Sequence, residues 1–366
     1  MKVVVTGTRG IPGILGGVET HCEELYPRIA AMGHEITVIR RACYVKPENK
    51  LQSYRGVRLK DVYAPRKKSL EAIIHTLLAV IEAKRQHPDI LHIHAIGPSI
   101  MVPFARLLGL KVVTTNHGPD YDRKKWGKLA KFILHMGECF GAKYSNEVIV
   151  ISEVISGIIA RKYGKHDTTL IYNGVPAVTK SESTSYIDSL GISRGKYVFA
   201  MGRFVEEKGF DLLIKAFSKA NISEYQLVIA GDADHNTRFC RVLKDMAAAN
   251  SSIILPGFVK GEKLNQLLTN ASLFVLPSFH EGLPIALLEA MSYNLPVLVS
   301  DIPANCIPEL SKSDYFKTGD LQSLILALKS KLSNPVKTVN YDLGKYNWDN
   351  IAEQTVEVYK NVLNAK

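Results

Sequence analysis

The sequence predicts an α/β protein made of two doubly wound domains. The chain has 366 residues, of which 46% are hydrophobic and 22% charged, enough for two domains with apolar cores. Short apolar runs alternate with helical patterns in both halves, as in stacked βαβ units with parallel strands. A polar stretch from 176 to 185 follows the turn signal Asn173-Gly174 and is the expected linker.

Five strands are expected in each half. Those of the first half are Lys2–Thr6, Glu35–Ile39, Ile90–His94, Lys111–Thr115 and Glu147–Ile151. Those of the second half are Tyr197–Met201, Gln226–Ala230, Ile253–Leu255, Leu273–Leu276 and Val297–Val299. We therefore expect domains at 1–175 and 186–345, followed by an amphipathic stretch from Trp348 to Leu363. Ligands of such folds bind beyond the carboxyl ends of the strands.

The formal charge of +11 is concentrated in the first half of the chain. Up to Asn173 there are 26 Lys and Arg against 15 Asp and Glu, and the remainder has 20 of each. The basic segments Arg66-Lys67-Lys68 and Arg123-Lys124-Lys125-Trp126 each open an amphipathic helical pattern. Such helices suit an anionic membrane or an acidic lipid-linked acceptor, although a solvated basic face explains them equally. Nucleic acid is not an expected partner, because no reader module is recognisable.

The N-terminal apolar run Val3–Val5 is too short for a signal peptide or a membrane span. The five cysteines are scattered and include no C-x-x-C pair, which disfavours a cysteine-bound metal. We therefore expect a cytoplasmic protein with reduced thiols, either free or at the inner face of the cell membrane.

The most informative segment lies between 273 and 293. A buried strand, Leu273–Leu276, is followed by a tight loop and then by a helix with Pro284 in its first position. The amides of Gly282, Leu283 and Ile285 are then available to an anion at the helix N-terminus. The flanking carboxylates Glu281 and Glu289 suit hydroxyl groups, so that one could hold a sugar and the other a ribose.

Positive charge comes from the loop after the strand Tyr197–Met201. Arg203 can contact two phosphate oxygens at once, and Lys208 adds a point charge five residues later, at the start of a helix. Alone, each of these features is equally well explained as a solvated turn or an ordinary helix end. Together they predict a site for the diphosphate of a nucleotide sugar.

A glycine-rich loop follows the first strand and leads into a helix from Val18 to Ala31. Its spacing is not G-x-G-x-x-G, which disfavours a nicotinamide site. Gly16-Gly17 place bare amides at a second helix N-terminus, although a turn needed only for chain reversal is the alternative. Arg9 could contact an acceptor phosphate, and Glu19 either assists a substrate hydroxyl or only complements the helix dipole.

His117 follows the strand Lys111–Thr115 in a Gly-Pro loop, where it could contact a sugar. His92 and His94 alternate on the preceding strand and resemble a metal pair. No carboxylate or cysteine stands at suitable spacing beside them, so we interpret them as structural, or in the case of His94 as facing the acceptor, and expect no metal.

These residues resemble a known family. Gly202-Arg203-Phe204 with Lys208-Gly209, and the segment Glu281 to Glu289 (EGLPIALLE), are similar to the pattern of retaining glycosyltransferases of family four, which have the GT-B fold. The resemblance extends along essentially the whole chain. The segment from Thr6 to Glu19 further resembles a bacterial subgroup that builds surface polysaccharides, often described as rhamnosyl or related hexosyl transferases.

The resemblance implies two Rossmann-like domains facing a central cleft, with a C-terminal helix (346–366) that returns to the first domain. It implies that Gly16-Gly17 approach the donor phosphate or the acceptor, that His117 lies by the donor sugar, and that the loop Gly257-Phe258-Val259 recognises the nucleobase. The implied reaction is hexosyl transfer from a nucleotide diphosphate sugar to a glycan hydroxyl, with retention, without metal or cofactor. The leaving phosphate itself takes the acceptor proton.

Three alternatives remain open at this stage. Asp232-Ala233-Asp234 mimics the metal-binding D-x-D sequence of the other glycosyltransferase fold, but its place in a Gly-Asp turn that leads to a helix favours a capping role. A nucleotide-sugar epimerase can share the architecture but needs no acceptor. A noncatalytic glycan-binding relative is disfavoured because Arg203, Lys208, Glu281 and Glu289 are all present.

Overall fold

The protein consists of two compact α/β units. The structure, a computed structural model, describes residues 1–65, 71–122, 126–175, 177–233 and 237–365. One unit comprises Met1–Gly174 with Lys345–Lys366, and the other comprises Val175–Gly344. The stretch from 177 to 185, expected as a linker, is counted with the second unit, where Ser181 N donates to Asn265 Oδ1 at 3.0 Å.

The first unit contains an eight-stranded sheet. Its strands are β1 (Lys2–Thr6), β2 (Glu35–Arg41), β3 (Ser53–Tyr54), β4 (Val57–Val62), β5 (Ile90–His94), β6 (Val112–Asn116), β7 (Glu147–Val150) and β8 (Thr169–Leu170). Its helices include α1 (Gly17–Ala31), α2 (Glu71–Gln86), α3 (Val102–Leu107), α4 (Lys128–Tyr144) and α5 (Glu153–Tyr163). The order is β3-β4-β2-β1-β5-β6-β7-β8. All neighbours are parallel except β3 and β4.

The second unit contains a six-stranded parallel sheet. Its strands are β9 (Tyr197–Met201), β10 (Gln226–Ala230), β11 (Ile253–Ile254), β12 (Leu273–Leu276), β13 (Val297–Ser300) and β14 (Tyr315–Phe316). Its helices are α6 (Ser185–Ser189), α7 (Phe210–Ala220), α8 (Arg238–Ala248), α9 (Glu262–Asn270), α10 (Ile285–Ser292) and α11 (Leu321–Ser333). The order is β11-β10-β9-β12-β13-β14, which is the strand order of a dinucleotide-binding fold.

The last helix, α12 (Trp348–Asn364), belongs to the first unit, where it packs beside α1. The sheet is covered on both faces, because alternate side chains of β1 pack into two different apolar clusters. Val3 and Val5 pack with Leu25 of α1 and Tyr359 of α12, whereas Val4 packs with Val80 of α2. Strands buried on both faces are typical of parallel sheets and explain their nearly continuous apolar sequences.

The structure confirms the α/β class with parallel sheets and corrects several local predictions. The strands β3, β4, β8 and β14 were not expected, and three of them have only two residues, too few to show a periodic pattern. The basic segment 66–68 and residues 123–125 lie outside the described residues. Trp126 precedes α4, which begins at Lys128. Among the described residues, no helix combines the length and apolar content that a membrane span requires.

Candidate active site

The candidate donor site of the second unit lies where its strand order reverses. β9 pairs with β10 on one side and with β12 on the other, so the loops after β9 and β12 emerge side by side at the carboxyl edge of the sheet. That is the position where open α/β sheets bind ligands. Arg203 and Lys208 follow β9, and Glu281 follows β12. The two basic residues predicted for the diphosphate therefore lie on the same edge as Glu281, which was predicted for a hydroxyl group.

Glycines allow these loops to contact each other closely. Gly209 has φ 64°, and a Cβ built there would lie 2.2 Å from the carbonyl oxygen of Pro277. Phe279 N donates to Glu207 O across the same contact, at 2.8 Å. At Gly231, after β10, a Cβ would lie 1.8 Å from Gly202 O. Only glycine fits such approaches, so the loops after β9, β10 and β12 form one tightly packed surface.

Lys208 and Glu281 form an ion pair. Lys208 Nζ lies 2.5 Å from Glu281 Oε1, and the two side chains are 17% and 11% exposed. Ser278 Oγ donates to the same carboxylate oxygen at 2.6 Å, and Ser300 Oγ in turn donates to the Ser278 carbonyl. Lys208 ends a short 3₁₀ turn, Glu206–Lys208, one residue before Gly209 and two before α7. The ammonium group that is expected to meet phosphate is thus held in place by Glu281.

The helix after Glu281 begins one residue later than expected. Pro284 is the N-cap of α10, with φ −74° and ψ 109°, and Ile285 is the first helical residue. Proline cannot donate a backbone hydrogen bond, and the first-turn amides of a helix have no carbonyl within the helix to bond. Gly282 and Glu289 are half-buried, whereas Leu283 and Pro284 are buried. The N-terminus of α10 therefore remains the expected anion-binding end of this loop.

Two further predicted residues lie on neighbouring loops of the same unit. Arg203 is half-buried and precedes Phe204, which is fully buried with its ring packed edge-on against Phe210, so the core anchors the loop beneath the guanidinium. Phe258 is 50% exposed, next to buried Val259. The loop that carries Phe258 is joined to the loop after β10, because Gly231 N donates to Gly257 O at 2.8 Å.

The D-x-D alternative is only partly described. Asp234 lies outside the described residues, and Asp232 is exposed, with Oδ1 accepting from Ala233 N at 2.8 Å. The expected capping explanation is wrong for Asp232, because the N-cap of α8 is Thr237, whose hydroxyl accepts from Cys240 N at 3.2 Å.

In the first unit the glycine-rich loop crosses the end of β5. A Cβ on Gly7 would lie 2.1 Å from His94 O. Glu19, one of the predicted acceptor residues, is buried, and its Oε1 accepts from Thr8 Oγ1 at 3.2 Å and Arg9 N at 3.0 Å. Through these two hydrogen bonds Glu19 holds the glycine-rich loop in place. A Cβ on Gly16 would lie 1.9 Å from Glu19 Oε2, which explains the glycine directly before α1.

Arg9 is tied to its own loop and to the neighbouring one. Its Nη1 donates to Leu15 O at 3.1 Å, and its guanidinium carbon lies 5.2 Å from the centre of the Tyr44 ring. Gly17 begins α1, and nothing lies within 4 Å of a Cβ built there. Gly17 is exposed, so the start of α1 has open space beside its backbone at this position.

Four histidines come together behind this loop. We call His21, His92, His94 and His117 the histidine cluster. The rings of His92 and His94 stack with centroids 4.3 Å apart, and His94 Nδ1 lies 2.9 Å from His117 Nε2. His21 Nδ1 lies 2.9 Å from Asn173 Oδ1, and its ring meets that of His117 edge-on at 5.0 Å.

Burial separates the roles of these rings. His92 and His94 are fully buried, His21 is nearly so, and His117 is partly exposed. Both ring nitrogens of His94 have partners, Tyr26 and His117, so its position does not support the expected contact with an acceptor. His117 stands at the accessible end, as a residue that meets a ligand must.

Burial also keeps the cluster uncharged, because charging an imidazole without solvent is unfavourable. It lowers the pKa of His21 to about 4 and that of His92 to about 3. The pKa values of His94 and His117 are lowered well below the ordinary value by burial and by the neighbouring histidines. Each ring is therefore neutral near pH 7 and carries a single proton on one of its two nitrogens.

One nitrogen from each of His21, His94 and His117 lies within 4.8 Å of the other two, a spacing that could hold a metal ion. Sequence reasoning missed His21, Tyr26 and Tyr359 because they lie on helices remote in sequence from β5, with no local pattern that marks them. It also missed Ser278, whose only signal is its place three residues before Glu281.

Two family models match the chain, one in each half. Residues 15–178 match the model described as Glycosyltransferase Family 4, and residues 183–343 match the one described as Glycosyl transferases group 1. An uncharacterized glycosyltransferase of Methanocaldococcus jannaschii is 26% identical to this chain, with 98% of each protein covered.

Similar proteins also include a characterised transferase and a solved structure. The UDP-Gal:alpha-D-GlcNAc-diphosphoundecaprenol alpha-1,3-galactosyltransferase of Escherichia coli is 30% identical, over 67% of this chain and 66% of its own. The crystal structure of HepE from Anabaena in complex with UDP has a TM-score of 0.76 at 15% identity, over 99% of this chain and 100% of its own; at this identity the likeness bears on the fold alone. The family matches and the shared fold identify the protein as a group 1 glycosyltransferase of the GT-B fold, a class that uses nucleotide sugars as donors.

Proposed function

We propose that this enzyme is a retaining hexosyltransferase that moves a sugar from a nucleotide diphosphate donor to a hydroxyl of a lipid-linked glycan during surface polysaccharide synthesis. The observation that carries the proposal is the meeting of Lys208, Glu281 and the N-terminus of α10 at the edge between β9 and β12. A fixed cation beside first-turn amides is a site for a diphosphate, and the flanking carboxylates Glu281 and Glu289 suit hydroxyl groups.

In the proposed reaction the bond between the anomeric carbon and the diphosphate oxygen breaks, and a bond to the acceptor oxygen forms on the same face of the sugar. The acceptor hydroxyl gives its proton to the leaving phosphate. Negative charge develops on the diphosphate, where Arg203, Lys208 and the amides of α10 stabilise it. Such preorganised donors act mainly on the transition state. No metal or cofactor takes part in the proposed step.

Other residues predicted from the sequence are assigned to the nucleobase, the ribose and the sugar of the donor, because their positions in the structure are compatible with those contacts. Phe258 presents a half-exposed ring beside the backbone of Gly257 and Val259, which we assign to the nucleobase. Glu289 is half-buried in the second turn of α10, and we assign it to a hydroxyl of the sugar or ribose. His117 is assigned to a sugar hydroxyl, because it is the accessible ring of a neutral cluster.

For the acceptor we propose the first unit, with the amides of Gly16 and Gly17 and the guanidinium of Arg9. The similar galactosyltransferase of Escherichia coli is named for an acceptor that carries a diphosphate and a lipid. An acceptor of that class would meet positive charge in this half of the chain, which holds the whole formal +11.

Helix α4 offers a surface for the lipid. Leu129 and Phe132 are 73% and 62% exposed, and Lys128 and Lys131 flank them. Apolar side chains bordered by lysines are typical of helices that bind an anionic bilayer interface. We therefore place the enzyme in the cytoplasm, in peripheral contact with the inner face of the membrane.

The direct test is to incubate the purified protein with UDP, GDP and dTDP sugars, with and without a lipid extract of its host, and to follow nucleoside diphosphate release by mass spectrometry. Release from one donor, increased by the extract, is expected. Isomerisation of a donor without release would indicate an epimerase, and the absence of both binding and turnover would refute catalysis. NMR of the product decides retention, and loss of activity with EDTA that manganese restores would contradict metal independence.

The membrane surface is tested by cosedimentation with vesicles of phosphatidylglycerol and phosphatidylcholine. Phe132→Glu is expected to lower the bound fraction severalfold, since it puts a charge into the apolar stripe. Leu326→Glu in the second unit is the matched control, because Leu326 is also exposed, at 58%, but lies on α11. Equal binding by the wild type and Phe132→Glu would rule out α4 as the lipid surface.

A further inference from the structure

The histidine cluster continues into a chain of hydrogen bonds that begins at the C-terminal helix. Tyr359 of α12 contacts His92 Nδ1 through its hydroxyl at 2.6 Å. On the other side of the same ring, His92 Nε2 lies 2.7 Å from Thr115 Oγ1. Tyr26 of α1 lies between the two strand histidines, with its hydroxyl 3.0 Å from His92 Nδ1 and also in contact with His94 Nε2. His94 Nδ1 then reaches His117 Nε2.

Counting the protons on each side chain determines which group donates in each of these hydrogen bonds. A neutral imidazole has one N–H and one lone pair. The lone pair on His92 Nδ1 can accept one hydroxyl proton, and the hydroxyl of Tyr359 is the nearer of the two donors. His92 then carries its proton on Nε2 and donates to Thr115. With that lone pair taken, the Tyr26 hydroxyl has two neighbours left, the Tyr359 hydroxyl and His94 Nε2. Its proton goes to His94 Nε2, with which it makes its shortest contact to a histidine.

The remaining steps are determined by the first. With its Nε2 accepting from Tyr26, His94 carries its proton on Nδ1 and donates to His117 Nε2. His117 must then carry its own proton on Nδ1, an atom that makes no hydrogen bond among the described residues. The members behind His117 are buried, so solvent does not compete with these partners, and hydrogen bonds in such a network reinforce one another.

We infer that Tyr26 and Tyr359 are positioning residues that hold His117 as its Nδ1–H tautomer, so that it presents a hydrogen-bond donor to a substrate oxygen. The meaning of that donor rests on the proposed function, because it requires that a sugar be bound at His117. A fixed N–H donor cannot act as a general base. The inference thus agrees with a mechanism in which the leaving phosphate takes the acceptor proton.

The same reasoning predicts what happens when Tyr359 loses its hydroxyl. In Tyr359→Phe the lone pair of His92 Nδ1 becomes available to Tyr26. Tyr26 can then either donate to His92 and accept from His94 Nε2–H, or keep donating to His94 Nε2, the nearer of the two nitrogens. In the first arrangement His94 Nδ1 accepts from His117 Nε2–H, so the proton of His117 moves from Nδ1 to Nε2; in the second it stays on Nδ1. Removing one hydroxyl from the C-terminal helix therefore allows both tautomers of a ring four hydrogen bonds away to be populated.

The test uses the full-length protein labelled with ¹⁵N-histidine, without substrate. Two-dimensional NMR distinguishes protonated from bare ring nitrogens, and the His117 signal is assigned by its loss in His117→Asn. The wild type is expected to show a protonated Nδ1 on His117, and Tyr359→Phe a mixture of protonated and bare Nδ1. Tyr197→Phe is the control, because Tyr197 is equally buried but donates to Leu267 O in the second unit.

A bare Nδ1 in the wild type would overturn the inference, as would an unchanged signal in folded Tyr359→Phe. If Tyr359→Phe does not fold, Tyr26→Phe is used instead; it should give a mixture of both His117 tautomers, since His94 loses the donor that orients it. Stoichiometric Zn²⁺ binding that shifts the His21, His94 and His117 signals and is lost in His21→Asn would also overturn it, in favour of a metal centre. None of these outcomes depends on the sugar-donor assay, so the tautomer and the transferase activity can fail independently.

Discussion

Replacing Lys208 by Met separates its part in stability from its part in catalysis. At 2.5 Å, the attraction between Lys208 and Glu281 is about 6–7 kcal/mol for an effective dielectric constant of about 20. The cost of removing both groups from water offsets most of this. We therefore expect Lys208→Met to lower the free energy of unfolding by about 1–3 kcal/mol, between the values for exposed and for fully buried pairs.

The catalytic effect should be larger than this loss explains. If Lys208 stabilises the leaving diphosphate, kcat/KM falls by about 10²–10³-fold, as for other single oxyanion donors. Glu281→Gln keeps the ammonium but loosens its position, so we expect a fall of about tenfold, or about 1.4 kcal/mol. Urea unfolding and nucleoside diphosphate release measure the two effects on the same samples.

The chain contains a matched control for this experiment. Lys331 Nζ lies 2.5 Å from Asp314 Oδ1 in the same unit, and the two side chains are 20% and 14% exposed. Lys331→Met should cost about as much stability as Lys208→Met while leaving turnover close to that of the wild type. If the two variants lose the same small amount of activity, Lys208 has no role at the diphosphate and the reasoning is refuted.

Three further predictions concern packing, pH and the nucleobase. Gly209→Ala should destabilise by at least about 2 kcal/mol more than Gly261→Ala, because both positions have positive φ but only the first Cβ meets a carbonyl, that of Pro277; thermal denaturation compares them. The folded-state pKa of His21, about 4, lies below its ordinary value of 6.5. The stability that the neutral ring contributes is therefore present above pH 6.5 and is lost as the pH falls towards 4. In unfolding curves, the free energy of unfolding of His21→Asn should fall less steeply with decreasing pH than that of the wild type. Phe258→Ala should weaken UDP binding by about 1–3 kcal/mol in calorimetry, as for other base-stacking aromatics, and unchanged affinity would remove Phe258 from the base site.

Much of the fold could be predicted from the chain because its signals are local. Fully buried parallel strands give short apolar runs, and these predicted β1, β5, β9, β10 and β12 with their observed bounds. The start of α10 was displaced by one residue, because Pro284 suits both the cap and the first helical position, and only the backbone angles distinguish them. Two-residue strands such as β14 give no pattern, since pairing with a neighbour alone defines them.

The sequence by itself determined which chemical groups the protein has and on which loops they lie. It placed Arg203 and Lys208 after one strand, Glu281 after another and His117 at a strand end. Those placements follow from periodicity and turn residues, which act over a few positions.

The tertiary structure decided which of these groups meet. Lys208 pairs with Glu281 because β9 pairs with β12, a strand that does not follow it directly in the sequence. Tyr359 reaches His92 because α12 lies against the first sheet, 267 residues away along the chain. The order of the strands and the packing of α12 in the first unit depend on burial between residues far apart in the sequence, which leaves no local pattern. For that reason the chain of hydrogen bonds behind His117 became visible only in the folded protein.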